Sequence, residues 1–425
     1  MQLQTFIRAH INDDIPELLL KAGTYKDIDV RLAAVQILAR RKIKDKLPSW
    51  YANDEISFPS ELASEQCSSE QTARYKQRLV GAGDCVIDMT GGLGVDAYYF
   101  SQKAASVVYI EKNEDYCRAA EYNFAALGAV NISVLCEDSV GVITSGAAAT
   151  ATSTATPAAL AFALGECTDG LSIVLYFDPS RRGSGNKRLY SMSDCEPDIV
   201  NFINGFKSGI YYLDEALIQA RIIAKLSPML DINAVLQQVP NITEIHILSV
   251  RNECKELIIN IKPETSNLKP PTIYCINMTT DGAEQSFIFT LQEELEAQPV
   301  TAQDLKRFLY EPNASIMKAG AFKTVAVRFG LWKLSVNSHL YTSDMLHRDF
   351  PGRVFEIKEV AKFNRNGCKQ VLKHGKQANV TVRNFPMSAQ LLSTRLGLSD
   401  GGETYIFATT LANKQKVMII AAKIT

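Results

Sequence analysis

The sequence predicts an α/β protein: a parallel, doubly wound sheet, preceded by a helical extension and followed by α+β segments. Three observations carry that prediction. From Cys85 to Ser139 short apolar runs alternate with helical stretches, the signature of βαβαβ units on a parallel sheet. The first run, "CVIDM", leads directly into the glycine cluster "TGGLG", as at a strand-to-helix bend that closes over a ligand. After about Lys262 prolines cluster and short strand-like runs interleave with helices, which marks a change of architecture.

The composition suits such a chain. Of 425 residues, 46% are hydrophobic and 21% charged, enough to bury large cores in about two to four domains. The formal net charge of −1 gives no global attraction to nucleic acid or membrane and leaves room for a local basic patch. The first fourteen residues are acidic and lack a long apolar core, so no signal peptide is expected. No apolar run reaches about 18 residues, the length of a spanning helix. A cytoplasmic protein is the expectation. Nine scattered cysteines form no C-x-x-C and five histidines form no H-E-x-x-H, so reduced thiols and no metal site are expected.

In chain order, "DIDVRLAAVQILARRK" predicts a helix with Ile28, Leu32, Val35 and Leu38 inward. Its Arg40, Arg41 and Lys42 form either a solvated helix end or a polyanion contact. Ser68 to Gln71 reads as a capping box opening a helix towards Gly81. A strand, Cys85 to Met89, precedes the glycine bend, and "DAYYFSQKA" is the helix after it. "SVVYIEKN" is a second strand, "EDYCRAAEYNFAALG" a helix capped near Gly128, and "ISVLCEDS" a third strand. The Ala/Thr-rich stretch Gly146 to Gly170 reads as an insertion over the sheet. "LSIVLYFDPS" is a fourth strand, "AKLSPMLDI" a fifth, and "EIHILSV" with "ELIINI" a closing hairpin. "PTIYCINM" and "SFIFTL" are strands of the α+β part.

Gly92-x-Gly94-x-x-Ala97 fits a dinucleotide fingerprint only formally. Asp88 ends the strand beside the space a pyrophosphate would fill, and like charges repel there. A ligand with positive charge and no phosphate suits the position better, and S-adenosylmethionine, with an ammonium and a sulfonium, is such a ligand. Thr90, Gly91, Gly92 and Gly94 let the backbone approach it closely. Glu111 ends the second strand, placed to accept from ribose hydroxyls, with Lys112 beside it. Asp138 and Ser139 follow the third strand, placed for the adenine amino group. Each acid alone is equally well a turn or cap residue; the three at successive strand ends point into one crevice.

"VIDMTGGLGVDAYYFS", "VYIEKN", "CEDS" and "FDPS" resemble motifs of class I S-adenosylmethionine-dependent methyltransferases. "EQCSSEQTARYK", "DPSRR", "LYEPNASIMKAGAF", "NSHLYTSD", "FPGRVFEI", "VRNFPMS" and "GGETYIFATT" are similar to a bacterial group of such enzymes with ferredoxin-like and THUMP-like C-terminal domains. The resemblance implies a helical region at 1–62, a Rossmann-like methyltransferase domain at 63–262, a ferredoxin-like α+β domain at 263–342 and a THUMP-like domain at 343–425. It implies RNA, transfer or ribosomal, as substrate, and hence RNA modification.

In amino-group methyltransferases of this kind an Asp or Asn, two prolines and an aromatic follow the fourth strand. Asp178 and Pro179 match and are the candidate catalytic residues; Ser180 and Arg181 depart from the pattern, which leaves Tyr176 or Tyr190 to supply an aromatic. Arg181 and Arg182 are candidate grips for an anionic substrate, or one pairs with Asp194 or Glu196. Ser69 and Thr72 are placed to close over the donor. From Gly352 to Phe385 eight basic residues (Arg353, Lys358, Lys362, Arg365, Lys369, Lys373, Lys376 and Arg383) face two acids, Glu356 and Glu359, with Phe363 and Phe385 interleaved. That pattern fits RNA contact or an ordinary solvated face. Four functions remain open: an RNA methyltransferase, an RNA-binding protein without turnover, a methyltransferase for protein or a small anionic metabolite, and a nicotinamide dehydrogenase, against which Asp88 speaks.

Overall fold

A computed structural model describes residues 2–144, 165, 171–181, 195–207, 220–262 and 269–424. The chain forms two compact units, Met1–Thr243 with Glu256–Leu268, and Glu244–Lys255 with Lys269–Thr425. Neither the Ala/Thr-rich stretch, apart from residue 165, nor Arg182, Tyr190 and Asp194 lie among the described residues.

The first unit is built on β1 (Asp84–Asp88), β2 (Ser106–Glu111), β3 (Ile132–Cys136), β4 (Ser172–Phe177) and β5 (Arg221–Leu226). The next strands, β6 (Ile242–Val250) and β7 (Glu253–Ile261), carry the chain across the division between the units and back. Within the first unit the strand order is β7-β5-β4-β1-β2-β3. The pairs among β1 to β5 are parallel and β7 runs antiparallel to β5. This is the expected doubly wound sheet. Its strands are continuous apolar runs because both faces are covered: Val86, Ile87, Val108, Val174, Leu175 and Ile223 have no exposed surface. The order reverses between β1 and β4, so the carboxyl ends of those two strands flank the crevice where ligands bind in such sheets.

Four helices position the site: α1 (Val30–Ile43), α2 (Glu70–Gln77), α3 (Val95–Ser101) and α4 (Glu114–Ala126). The N-terminal helical residues share one core with the sheet layer, where Ala39, Ile43, Trp50 and Phe58 pack with Ala73, Leu93 and Tyr99. The inward face of α1 differs from the expected one. Ala33, Ala34 and Ile37 are buried, whereas Leu32 and Val35 are exposed; small alanines allow close helix approach and won over the larger side chains. Arg40 is neither a solvated end nor a polyanion contact. It is buried and donates to the carbonyls of Tyr51, Asn53, Asp54 and Ile56. Arg41 bonds the carbonyls of Ile11 and Asp13, and Lys42 lies near Glu61 and Glu65.

Two further expectations shift. The cap of α2 is Ser69, which accepts from the Thr72 amide at 3.2 Å, and not Ser68. The fifth strand is Arg221–Leu226, earlier than "AKLSPMLDI", because Ser227 and Pro228 end it. Seven of the described cysteines are free thiols. No helix among the described residues is long and apolar enough to cross a membrane.

In the second unit β6 pairs in parallel with β8 (Thr272–Met278), which pairs antiparallel with β9 (Glu284–Thr290). A second sheet comprises β10 (Phe308–Pro312), β11 (Trp332–Lys333), β12 (Tyr341–Ser343), β13 (Gly352–Lys362), β14 (Asn379–Arg383), β15 (Thr404–Thr410) and β16 (Lys416–Lys423). Its order is β11-β12-β10-β13-β16-β15-β14, antiparallel except for β14 with β15. Glu311 of β10, 2% exposed, bridges Arg353 of β13 and Arg383 of β14. Each oxygen of that carboxylate serves one guanidinium, so one acid ties three strands.

Removing the bridge isolates two arginines. Glu311→Ala is expected to cost about 3 kcal/mol, as when a buried pair loses one partner, read as a lowered midpoint in chemical unfolding of the full chain. Glu311→Gln, which keeps the volume and loses the charge, should fall between the two. An unchanged midpoint in both would show the triad to be energetically silent.

Candidate active site

The glycine bend between β1 and α3 is shaped by what lies behind it. A side chain at Gly91 would put its Cβ 2.3 Å from the Tyr109 ring. Gly94 has φ +81 and would meet the Phe124 ring at 2.7 Å. At Gly92 (φ +57), by contrast, a Cβ would meet only the Thr90 carbonyl, at 3.7 Å, an ordinary contact. Two glycines thus make room for the protein's own rings, and at the third the positive φ calls for glycine.

Asp88 is 1% exposed. One carboxylate oxygen accepts from the Thr90 amide at 3.0 Å; the other makes no hydrogen bond among the described residues. Burial pushes its pKa up to about 8, against the Thr90 hydrogen bond and with help from the charges of Asp96, Asp178 and Glu111. Glu111 ends β2 with both oxygens engaged by backbone, Oε1 by Asn113 N–H at 2.9 Å and Oε2 by Gly92 N–H at 3.0 Å. The Gly92 amide, one donor of the bend, is therefore already spent on a carboxylate. Asp138 is exposed and caps the helix Ser139–Thr144, accepting from Gly141 N–H at 2.8 Å; Ser139 is buried. Lys112, exposed, pairs with Glu196 at 2.9 Å.

Asp178 follows β4. Its amide donates to Thr90 Oγ1 at 2.6 Å, so the glycine bend and the loop after β4 are fastened together. Lys225 Nζ of β5 donates to Asp178 Oδ2 at 2.7 Å. Behind this pair lies a buried charge cluster that motif reading missed. Lys76 of α2 has no exposed surface and contacts Asp96 at 2.8 Å and Glu256 at 3.2 Å. Ser68 Oγ bridges Lys76 and Asp96, and Tyr176 OH donates to Asp96 at 2.7 Å. Lys225 lies 4.0 Å from Glu256. Burial would raise Asp96, yet Lys76 and Lys225 hold it below the ordinary range. Burial would lower Lys225, yet Asp178, Glu256 and Asp96 hold it above. Asp178 is raised, by burial first, against Lys225 and Lys76.

The members of this cluster, a lysine in the last turn of α2, a lysine in β5 and a glutamate in β7, form no motif in the sequence. What sequence alone lacked was the β7-β5-β4-β1 order that brings them to one place.

Several candidates take different roles. Tyr176 is 1% exposed, packed on Phe100 at 4.9 Å, so it offers no face for a base. Ser69 and Thr72 bond each other at 3.1 Å as a helix cap. Pro179 is half-buried, Arg181 lies in a two-residue strand with Ser180, and Arg182 lies outside the described residues. Among the described residues no group of three or more His, Cys, Asp or Glu is placed to hold a metal.

In the second unit the eight basic residues divide. Arg353 and Arg383 serve Glu311, and Lys358 pairs with Glu356 at 2.5 Å. Lys362, Arg365, Lys369, Lys373 and Lys376 are exposed and have no ion-pair partner among the described residues. Arg365 and Lys369 lie four residues apart on one face of α5 (Arg365–Val371), and Lys373 follows in the 3₁₀ turn after it. Phe363 and Phe385 pack on each other at 4.9 Å within a core, so they are not interleaved for base stacking.

Comparison with known proteins joins the two units. A family model described as a ferredoxin-like domain matches residues 308–351, and one described as THUMP domain-like matches residues 352–423. An uncharacterized S-adenosylmethionine-dependent methyltransferase of Mycobacterium tuberculosis H37Rv is 22% identical over 366 residues, 85% of this chain and 87% of that protein. A crystal structure from Porphyromonas gingivalis W83, provisionally named a methyltransferase, is 31% identical, with a TM-score of 0.83, covering 100% of this chain and 98% of that one. With the doubly wound sheet and the two C-terminal segments in place, the chain belongs to the S-adenosylmethionine-dependent methyltransferase family that carries ferredoxin-like and THUMP-like domains.

Proposed function

We propose that this methyltransferase acts on RNA, and that the residues of the glycine bend and the loop after β4 are its working parts. One observation carries the RNA reading: the row of unpaired, exposed cations Arg365, Lys369 and Lys373, flanked by Lys362 and Lys376, in the THUMP-like segment. Cations close in sequence and free of acids are what a phosphate backbone requires.

The donor residues fit a cationic ligand in one respect: the acids around Asp88 outnumber the bases. Asp88 would take the ammonium end, Glu111 the ribose hydroxyls, Asp138 and Ser139 the adenine edge, with Thr90, Gly91, Gly92 and Gly94 forming the cradle and Lys112 its rim. The bound cofactor supplies a methyl group on a positively charged sulfur. Asp178 orients the target and accepts its proton; Thr90 keeps that acceptor registered to the cradle. Rate then depends on alignment and approach distance, which rigid positioning supplies.

Transfer of labelled methyl groups to total RNA tests the reading. The wild type should label RNA, and Asp178→Ala should reduce labelling by about 10²-fold or more. Label found only in protein, or surviving nuclease treatment of the extract, would sink RNA as substrate.

The cation row makes a separate expectation. Lys369→Glu with Lys373→Glu should weaken RNA binding and lower the slope of log affinity against log salt by about two, with S-adenosylhomocysteine binding unchanged by calorimetry. An unaltered slope would remove the row from the interface.

Asp88 sets a pH dependence. Its pKa of about 8 lies above the ordinary 3.8. A carboxyl raised on folding contributes stability that is complete below about pH 4 and is lost as pH rises through about 8. The ligand-free protein should therefore lose stability across that window, and Asp88→Asn should abolish the loss. A cationic ligand favours the ionised acid, so donor uptake at pH 7 should release a proton. Calorimetry in two buffers of different ionisation enthalpy reads that proton. Asp88→Asn should remove the release and weaken donor binding at least about tenfold; equal heats in both buffers for the wild type would refute the assignment.

A further inference from the structure

The pair Asp178–Lys225 has a chemistry that neither the motif nor the comparisons assign. We propose that it reads a lactam edge, a ring N–H beside a carbonyl as in guanine N1 or uracil N3, and that this ring nitrogen is the atom methylated. The inference rests on the RNA reading above and deepens it.

The geometry comes first. β4 and β5 are parallel, with Phe177 opposite Ala224, so the next residues, Asp178 and Lys225, emerge side by side at the carboxyl end of the sheet. Their side chains touch at 2.7 Å and are 31% and 15% exposed. Asp178 is therefore the reachable acceptor and Lys225 the donor beside it. Asp178 Oδ1 makes no hydrogen bond among the described residues, and the next acid to Lys225, Glu256, is 4.0 Å away. Thr90 fastens the acceptor to the donor cradle. An acceptor and a cationic donor, adjacent and facing the same way, complement an N–H and a C=O that are adjacent on one ring.

The alternative target, an exocyclic amine, suits this pair less well. Such an amine lends its lone pair to the ring, and a cation on the neighbouring ring nitrogen would draw that pair further away from the methyl donor. The usual aromatic clamp for that chemistry is not supplied by Tyr176, which is buried. A lactam nitrogen has the opposite need. It gains a usable electron pair only as its proton leaves, and negative charge then develops on the carbonyl oxygen, where an ammonium stabilises it. Burial lifts Asp178 above the ordinary carboxylate range, which brings the base closer in strength to the weak N–H acid.

The step balances. The ring N–H proton passes to Asp178; the nitrogen forms its bond to the methyl carbon; the carbon–sulfur bond breaks with its pair left on sulfur, which becomes a neutral thioether. Lys225 keeps its protons throughout and neutralises the carbonyl oxygen. No oxidant, reductant or metal enters.

RNA from a strain lacking the gene, methylated in vitro and digested to nucleosides, gives the decisive reading by mass spectrometry. The expected product is 1-methylguanosine or 3-methyluridine. Methyl on an exocyclic nitrogen or on ribose overturns the proposal and leaves the RNA reading standing; no methyl in RNA overturns both. Lys225→Met should reduce the rate by about 10²–10³-fold, the scale of losing one preorganised donor, and Lys225→Arg should restore part of it. S-adenosylhomocysteine should bind both variants as it binds the wild type, which separates lost chemistry from lost folding. In a gel shift without cofactor, the wild type should prefer unmodified RNA over RNA already methylated, and Lys225→Met should show no preference. A Lys225→Met variant with unchanged rate and preference would make Lys225 a structural counterion and end the proposal.

Discussion

A lysine with no exposed surface is the constraint around which the first unit is organised. Removing an ammonium from water costs several kcal/mol even after relaxation, and Lys76 is tolerable only because Asp96, Glu256 and Ser68 surround it. Those partners come from α3, β7 and the segment before α2. Lys225 from β5 and Tyr176 from β4 complete the ring. A cluster of this kind contributes little net stability, since apolar side chains of equal volume would serve as well or better. Its consequence is positional. The charges meet from several elements, so helix, strand and the loop after β4 are held in register. Asp178 inherits that register through Lys225.

The electrostatics of the crevice refine the case against a dinucleotide. Repulsion between Asp88 and a diphosphate is weaker than the sequence argument supposes, because a carboxyl with a pKa of about 8 is largely neutral at pH 7. The stronger discriminator is hydrogen bonding. Phosphate sites at strand-to-helix bends depend on free backbone amides. Here the amide of Gly92 already donates to Glu111, and the carbonyl of Gly92 accepts from Tyr109 OH at 2.6 Å. A diphosphate taking the Gly92 amide would have to displace Glu111 from it. A ligand that brings hydroxyls and positive charge displaces nothing, since each Glu111 oxygen retains a second lone pair.

Sheet, bend and strand-end acids were legible because they follow from local pattern: apolar runs of fixed length, glycine where side chains would collide, acids directly after strands. The face of α1 was misread because alanine carries little hydrophobic weight in a periodicity count, while Ala33 and Ala34 are what let the helix approach. Lys76, Lys225 and Glu256 were illegible for a different reason. A charge beside other charges, as at Lys76 and Glu256, or at the end of an apolar run, as at Lys225, reads as a solvated edge, and only the crossover order of the strands reveals that these edges coincide. The aromatic role given to Tyr176 failed on the same ground. Its hydroxyl has a buried acceptor, Asp96, and a tyrosine with a buried partner turns inward.

Charge counting in the second unit shows the same limit and what lies beyond it. Eight basic residues against two acids described composition along 34 residues of chain, yet Glu311, lying outside that window, takes two of the eight. The excess that can act on a partner is the remainder left after pairing. That remainder is not scattered. It collects on α5 and its flanks, while the paired arginines lie in the strands beneath. A sheet whose strands are locked by a buried acid gives a short helix a firm base, and cations on a firm base lose less freedom on meeting phosphate than cations on a loop. The strand-locking triad and the exposed row are thus two uses of one basic composition, the first holding the surface that the second presents.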